Sequence, residues 1–360
     1  MRYFDVRQLT DSWQSDILSP LSHGGRMQFQ SKRRELIAFL GGTIAAWPLA
    51  ARAQPAGTVW RIGFLTPRTR SSPPGHDAFS DAFIDGMSKL GYSEGKNLLV
   101  EWRYADGDYT RLTGFAKELV EMNLPVIVTY GTAAARVLQQ TTKTIPIVVA
   151  AAVDLVRAGI VASLARPGGN ITGLSVIDVD MSAKQLELLR AFLPKLSHVA
   201  ILLNPGNSAN PLLSQHVGAS ASPLGIEVAA VNAATPRAIE AAFAEAAQRG
   251  AGAVMVAADA FFSGQGPQIA ASAAQHRLPT ISLYRDHVLA GCLISYGQDV
   301  AAFHRQAATY VDKILKGAKP EDLPVEQPTK FDLVINGKTA ATLGLAIPQG
   351  LLVLADEVIQ

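Results

Sequence analysis

Residues that could hold a small ligand follow short apolar runs along this chain. In "VTYGTAAA", Tyr130, Gly131, Thr132 and Ala133 stand between a strand pattern and the start of a helix pattern. Small residues at a helix start leave backbone N–H groups accessible, and the helix dipole favours an anion there. The segment therefore predicts a carboxylate site, although an ordinary strand–helix turn capped by Thr132 explains these residues equally well.

Further polar and aromatic residues follow other strand patterns. Asp154 comes after the next strand of the N-terminal half, where it could hold an ammonium or hydroxyl group or cap a helix. Asn204 and Asp259 occupy the equivalent edges of the second half. Tyr284 and Tyr296 follow late strands and could enclose a ring or an alkyl group, or pack in a core. Ligands of open α/β sheets bind beyond the carboxyl ends of the strands, so we expect these residues to line one site.

Short β patterns alternate with helical patterns from Trp60 onward, which predicts parallel βαβ units. The alternation pauses at residues 164–176, "LARPGGNITGLSV", and then restarts. Both halves begin with an apolar strand and loop, "GFLTP" and "ILLNP", and both first helices end in Leu-Gly. The sequence thus predicts an α/β fold with two doubly wound parallel-sheet lobes joined by a multi-strand hinge.

The predicted lobes are discontinuous in sequence, because the late elements return to the first lobe and back. The predicted limits are residues 58–172 and 291–322 for lobe 1, and residues 173–290 and 323–360 for lobe 2. Several chain crossings would then form the hinge.

An export signal is predicted near the N-terminus, at residues 31–56. Its start is basic at residues 32–34, an apolar stretch follows, and Ala51-Arg52-Ala53 gives the small-x-small pattern of a signal peptidase site. A buried helix fits poorly with so basic a flank. We therefore expect residues 1–53 to be an upstream segment plus a cleaved signal peptide, with translation starting at Met27. Export to the periplasm follows, by either the general secretory or the twin-arginine route.

Charge and hydropathy restrict the partners of the exported part. Of the 32 Lys and Arg and 30 Asp and Glu residues, seven and four lie in residues 1–53, which leaves 25 and 26 for the remainder. A nearly neutral domain has no electrostatic footprint for nucleic acid. No later apolar run is long enough to span a bilayer, so we expect no direct membrane insertion. We expect a monomer whose partners are a small-molecule ligand and a permease.

No pattern of catalytic residues stands out in the sequence. Gly337-Lys338-Thr339 resembles the end of a phosphate loop, but Asp332 stands where that motif requires its first glycine. The seven His are dispersed and Cys292 is the only cysteine, so neither a zinc site nor an internal disulfide is expected. No G-x-S-x-G motif is present. We expect a protein without cofactor, metal or catalytic residues, and therefore not an enzyme.

Several longer segments carry a family resemblance. "GMSKLGYSEGKNLLVEWRYADGDYTRL", "VTYGTAAARVLQQTTKTIPIVV", "ASLARPGGNITGLSV" and "LISYGQD" resemble the ABC-transporter substrate-binding proteins related to tryptophan/tyrosine-binding components. The resemblance extends from the leader to the C-terminus. It implies the type I periplasmic binding-protein fold, a ligand enclosed between two lobes, and delivery of that ligand to an ABC permease in the inner membrane.

Three functions remain to be compared on this basis. The first is the periplasmic solute-binding component of an ABC-type importer, which captures a small acid such as an aromatic or branched amino acid. The second is a periplasmic ligand-sensing subunit of a membrane receptor, which a neighbouring kinase gene without a permease gene would favour. The third is an exported α/β enzyme, which needs a reactive group that the sequence does not supply. A cytosolic repressor is disfavoured, since no helix-turn-helix precedes Trp60.

Overall fold

A computed structural model of the protein describes residues 58–70, 76–177 and 179–360. The predicted signal peptide, its cleavage site and the start at Met27 lie outside the described residues. Within the described residues, no helix combines the length and apolar character needed to cross a bilayer.

The first sheet has five parallel strands in the order β2-β1-β3-β4-β5. Its strands are apolar almost throughout because helices cover both faces: Phe64 packs in the apolar cluster under α1, and Leu65 packs in the opposite cluster under α2 and α3. The strands are β1 (Trp60–Thr66), β2 (Leu98–Tyr104), β3 (Ile127–Tyr130), β4 (Ile147–Val153) and β5 (Ile171–Val176). The helices are α1 (Ala78–Lys89), α2 (Leu112–Glu121) and α3 (Thr132–Thr141).

The second sheet has seven strands in the order β12-β11-β10-β9-β8-β6-β7. The pairing of β10 with β11 is antiparallel, and the other pairings in this sheet are parallel. The strands are β6 (His198–Leu203), β7 (Glu227–Asn232), β8 (Ala253–Val256), β9 (Thr280–Ser282), β10 (Ile294–Gly297), β11 (Asp332–Asn336) and β12 (Glu357–Ile359). The helices that follow β5 along the chain are α4 (Val179–Phe192), α5 (Asn210–Ala221), α6 (Pro236–Gln248), α7 (Gly266–Gln275), α8 (Arg285–Ala290), α9 (Val300–Leu315), α10 (Gly337–Leu343) and α11 (Gln349–Leu354).

Each sheet and the helices packed on it form one lobe, and α9 belongs to the first lobe because it packs on α1 and β4. Within the described residues the chain therefore passes between the lobes three times: near Ile177, between β10 and α9, and before β11. One side chain connects the three passages. The Gln298 Oε1 accepts from the backbone N–H of Ile177 at 3.1 Å, and its Nε2 donates to the carbonyl of Pro328. These passages are the multi-strand hinge that the sequence predicts.

Strand pairing and packing differ from the predicted lobe limits at three places. Residues 173–176 were predicted to begin lobe 2, but they belong to β5, which pairs with β4 of the first sheet. The Pro167–Asn170 turn thus precedes the last strand of the first sheet instead of following it. Residues 294–297 were predicted to lie in lobe 1, but as β10 they pair with β9 and β11 of the second sheet. The chain crosses only after β10, where α9 begins. Residues 323–326 were predicted to begin the last segment of lobe 2, but Glu326 bridges Leu174 of β5 and Val325 packs in the core of the first lobe. The rest of the predicted lobe limits remains a prediction.

Candidate functional site

The carboxyl ends of the two sets of parallel strands meet at a narrow cleft. Gly131 and Val153, at the ends of β3 and β4, line it from the first lobe, and Asp259 and Tyr284, after β8 and β9, line it from the second. The free space in the centre of this cleft is about 20 Å³, which is room for about one water molecule. The two lobes are therefore closed on each other.

Asp259 is the centre of the hydrogen bonds in the cleft. Its Oδ2 accepts from Tyr109 at 2.9 Å and from Asn207 at 2.8 Å. Its Oδ1 accepts from the backbone N–H of Phe261 at 2.9 Å and from Asn204 at 3.4 Å. Burial raises the pKa of the Asp259 carboxyl above its ordinary value, although these donors act in the opposite direction. The carboxyl group is held rigidly at the point where the lobes touch.

Tyr109 reaches Asp259 from the first lobe, so its hydroxyl makes a hydrogen bond that spans the cleft. Burial and the adjacent Asp259 carboxyl raise the pKa of Tyr109 well above its ordinary value. The phenol is therefore a permanent donor at neutral pH. Gly206 lies against the same ring, since a Cβ added to this glycine would be 3.2 Å from the Tyr109 ring atoms Cγ and Cδ2.

Tyr284 holds the loop that carries Asp259 by hydrogen bonds to its backbone. Its hydroxyl donates to the Asp259 carbonyl at 2.9 Å and accepts from the Asp259 backbone N–H at 3.1 Å. Burial and the neighbouring Tyr130 raise the pKa of Tyr284 well above its ordinary value. Tyr130 and Tyr284 both line the cleft, but the Tyr284 hydroxyl is committed to the protein backbone.

The start of α3 faces the second lobe at short range. Gly131 has a φ of 88°, and a Cβ added there would be 2.9 Å from the Cβ of Ala260. The Thr132 hydroxyl accepts from the Val153 backbone N–H at 3.1 Å, which ties the helix start to β4. Ala133 also lines the cleft. These residues stand where the sequence places them, with the Thr132 hydroxyl already bonded to a strand.

The other three residues of the predicted site are arranged differently. Asn204 is buried behind the cleft and reaches it only through its bond to Asp259. Asp154 opens the turn after β4 with a φ of 42° and lies outside the cleft lining. Tyr296 lies within β10, where its ring stacks on Phe331 with the centroids 5.6 Å apart. The structure therefore does not bring Asp154 and Tyr296 to the cleft centre with the others.

Another contact between the two lobes was not identified from the sequence. Arg68 follows β1, is 7% exposed, and donates from its Nη1 to the hydroxyl of Ser263 in the second lobe. Its Nε lies 2.7 Å from the Asp77 Oδ1, and its guanidinium lies 4.2 Å from the centroid of the Phe79 ring. The signal that could have revealed Arg68 was its place in "GFLTPRT", since a charged residue just past the end of a central strand is a ligand candidate.

A larger cavity of about 350 Å³ adjoins the cleft on the side of the chain crossings. It shares Leu283, Tyr284 and Val300 with the cleft centre. The first lobe contributes Phe79 and three residues of α9, namely Val300, Ala301 and Arg305. The other charged residues of the wall are Arg285, Asp286, Asp299 and Asp332. The cavity is large enough for an amino-acid-sized molecule.

Metal binding and thiol chemistry are the two remaining questions about the described residues. No group of three or more His, Cys, Asp or Glu residues in the described part of the chain is arranged to hold a metal ion. Cys292 is buried, and burial raises the pKa of its thiol to about 12. The thiol is consequently protonated at neutral pH.

Two parallel sheets with a polar cleft between their strand ends are the architecture of a periplasmic binding protein. Known proteins agree with this architecture. A conserved domain protein of Vibrio cholerae O1 biovar El Tor has a similar structure, with a TM-score of 0.75 and 29% identity, covering 83% of this chain and 99% of that one. The ABC domain of Streptococcus pneumoniae in complex with L-Trp gives a TM-score of 0.74 and 26% identity, with the same coverage of 83% and 99%.

Sequence comparison gives the family. Residues 71–359 match the ABC transporter substrate binding protein family, and the chain belongs to it. A tyrosine-binding protein of Clostridioides difficile (strain R20291) is 25% identical over 273 residues, which are 76% of this chain and 78% of that protein. The family is one of binding proteins and not of enzymes. The resemblance and the fold class predicted from the sequence are thus confirmed.

Proposed function

We propose that this protein is the periplasmic binding component of an ABC importer and captures an aromatic amino acid between its two lobes. The observation that carries the proposal is the polar contact between the lobes, in which Tyr109 of one lobe donates to the buried Asp259 of the other. A site made of both lobes forms only when they close. The similarity to an L-Trp complex and to a tyrosine-binding protein supports the ligand class.

The proposed site joins the cleft centre to the larger cavity beside it. The cleft residues are Tyr130, Gly131, Thr132, Ala133, Asn204, Asp259 and Tyr284, of which Asn204 acts from behind Asp259. Phe79 and Tyr284 line the larger cavity and could stack on an aromatic ring. The ligand would stabilise the closed form relative to open forms of the hinge, and the closed form would present both lobes to a permease in the inner membrane.

Direct identification of the ligand tests this proposal. Protein purified from the periplasm is analysed by native mass spectrometry, and then by thermal shift and calorimetry with L-tryptophan, L-tyrosine, L-phenylalanine and L-leucine. A ligand at a hundred times its Kd should raise the free energy of unfolding by about 2.7 kcal/mol. An absence of binding across this panel, together with no co-purified acid, contradicts the proposed ligand class.

Two tyrosines provide a matched pair for locating the site. Tyr284→Phe removes the hydroxyl that holds the Asp259 backbone, so affinity for the bound amino acid should fall by about tenfold. Tyr296→Phe changes a ring that stacks on Phe331 outside the cleft and should leave affinity unchanged. Equal affinities of the two variants in calorimetry would place the ligand elsewhere.

Export is a separate part of the proposal and has its own test. We infer that the chain is translated from Met27, exported, and cleaved after Ala53, because the segment before residue 54 has the three parts of a leader. Protein recovered from the periplasm should then begin at Gln54 in N-terminal sequencing. Recovery of secreted protein with residues 1–26 attached would contradict the inference.

A further inference from the structure

The charge composition of the buried residues singles out Arg68. Among the described residues, Arg68 is the one Lys or Arg whose side chain is buried. A buried ion pair is often no more stable than an apolar replacement of the same size, since both charges must leave water. Arg68 also lies beyond the end of β1 and faces the second lobe, which is where ligands of open α/β sheets bind.

Asp77 forms an ion pair with this guanidinium and is itself hydrogen-bonded at the start of α1. Its carboxylate caps α1 by accepting from the Phe79 backbone N–H at 3.1 Å, and it accepts from the Ser80 hydroxyl at 2.6 Å. The Arg68 Nε lies 2.7 Å from it. Burial acts to raise the pKa of Asp77, but Arg68 and Ser80 outweigh this and hold it below the ordinary value. Asp77 therefore stays ionised and orients Arg68.

The group that Arg68 contacts in the second lobe is a weak acceptor for a guanidinium. Ser263 presents a neutral hydroxyl, which also donates to the Ala260 carbonyl at 2.8 Å. The planar fork of a guanidinium pairs best with a carboxylate, which can accept two parallel hydrogen bonds. Gly264 stands next to the guanidinium without a side chain, and a Cβ added there would be 3.7 Å from the Arg68 Cζ.

The helix start at Thr132 is less suited to a carboxylate than the sequence suggests. Its hydroxyl is bonded to the Val153 backbone, and Ala260 closes the space in front of Gly131. The Phe79 ring, by contrast, contacts the Arg68 guanidinium and also lines the cavity of about 350 Å³. A carboxylate at Arg68 would therefore leave the rest of the ligand at the mouth of that cavity.

We propose that Arg68 binds the carboxylate of the ligand, that Asp77 is its positioning residue, and that the Ser263 hydroxyl holds the place of a carboxylate oxygen. This assignment rests on the proposed function and names the chemical group that the site selects. A carboxylate there joins Arg68 of the first lobe to Ser263 of the second and so favours the closed form.

The test measures discrimination between an acid and its amide. Calorimetry compares L-tryptophan with L-tryptophanamide, and L-tyrosine with L-tyrosinamide, in wild type, Arg68→Gln and Thr132→Ala. Arg68→Gln should weaken binding of the acid by about ten- to a hundredfold and bind the amide nearly as wild type does, so that the discrimination disappears. Thr132→Ala should keep it.

Control variants separate recognition from folding. Arg111→Gln removes an exposed arginine that also pairs with a carboxylate, Asp106, and lies over a ring, Phe115, and it should leave binding unchanged. If Arg68→Gln does not fold, Arg68→Lys keeps the charge without the fork, and it should retain folding while losing most of the acid preference.

The failures of the two proposals are distinguishable. In one outcome, wild type binds an acid of the panel and Arg68→Gln or Arg68→Lys keeps the full acid preference. This outcome contradicts the role of Arg68 and leaves the proposed function standing. Loss of the preference in Thr132→Ala, with Arg68→Gln unchanged, returns the carboxylate to the start of α3. Wild type that binds no acid of the panel contradicts the proposed function and the role of Arg68 together.

Discussion

Two buried histidines, His287 and His304, lie close to the residues that close the cleft. His287 pairs through its Nε2 with the Phe262 carbonyl at 2.9 Å, and His304 pairs through its Nδ1 with the Val300 carbonyl at 2.9 Å. In each pair the nitrogen must be the donor, because a carbonyl only accepts. Burial lowers the pKa of each imidazole to about 4, so both are neutral in the folded protein at neutral pH.

These histidines predict that stability is lost on mild acidification. Between pH 6.5 and about 4 the unfolded chain binds protons at His287 and His304 that the folded protein does not bind. The free energy of unfolding should therefore fall with decreasing pH in this window, by up to about 1.4 kcal/mol per pH unit for each histidine. Urea unfolding at several pH values measures it.

A pair of variants tests the origin of this pH dependence. His287→Gln can keep the donor to the Phe262 carbonyl but cannot titrate, so the fall between pH 6.5 and 4 should become smaller. His198→Gln changes an exposed histidine of β6 and should keep the wild-type slope. Identical slopes in all three proteins would show that the buried imidazole of His287 does not govern the acid sensitivity.

At the level of elements, the contact between α1 and α9 holds a helix that enters from the second sheet. The two helices approach most closely at Gly86, where an added Cβ would be 2.5 Å from the Arg305 carbonyl oxygen and 2.9 Å from the Ala308 Cβ. A glycine in a helix costs about 0.5–1 kcal/mol relative to alanine. The residue is explained by the helix spacing, since nothing larger fits between the two backbones.

Two glycines in helices of the first lobe should respond oppositely to the same substitution. Gly86→Ala forces α1 away from α9 and should lower the free energy of unfolding by about 1–3 kcal/mol. Gly114→Ala in α2 has no neighbouring atom within 4 Å of the new Cβ and should raise it by about 0.5–1 kcal/mol. Chemical unfolding of both variants decides this, and a neutral Gly86→Ala would mean that the helices can separate freely.

The whole molecule is closed by direct contact between the lobes. Gly131 meets Ala260, and Gly107 meets Phe261, where a Cβ added to Gly107 would be 2.6 Å from the ring. Together with the Tyr109–Asp259 hydrogen bond, these contacts leave only about 20 Å³ at the cleft centre. Closure of this degree depends on the absence of side chains at the two glycines.

A matched pair of glycines tests closure of the whole molecule. Gly131 and Gly91 have positive φ values of 88° and 90°, so alanine is strained at both. Only Gly131→Ala adds a methyl group against the second lobe, at 2.9 Å from Ala260, whereas Gly91→Ala meets nothing within 4 Å. Small-angle scattering should show a larger radius of gyration for Gly131→Ala and the wild-type value for Gly91→Ala. Equal radii would show that the lobes do not touch in solution.

The sequence determined the type and order of most elements, because helix and strand periods are local properties of the chain. The runs at Leu98–Tyr104 and Ile147–Val149 were recognised as strands, the second of which continues to Val153. Tyr130, Asp259 and Tyr284 were found because they follow such runs. The restart of the strand–helix alternation predicted two lobes, and the family resemblance added the ligand enclosed between them. The predicted lobe limit after the turn at Pro167–Asn170 was wrong, because the same turn sequence can precede a further strand of the same sheet or the start of another lobe.

Only the tertiary structure decided which strand ends meet. Arg68 and Ser263 are 195 residues apart in sequence, and Tyr109 and Asp259 are 150 apart. No local pattern specifies such pairs, because they depend on how two sheets approach through three chain crossings. The same approach buries Arg68, occupies the Thr132 hydroxyl with the Val153 backbone and leaves Tyr296 against Phe331. The side chains are specified by the sequence, but their contacts form only when the two lobes close.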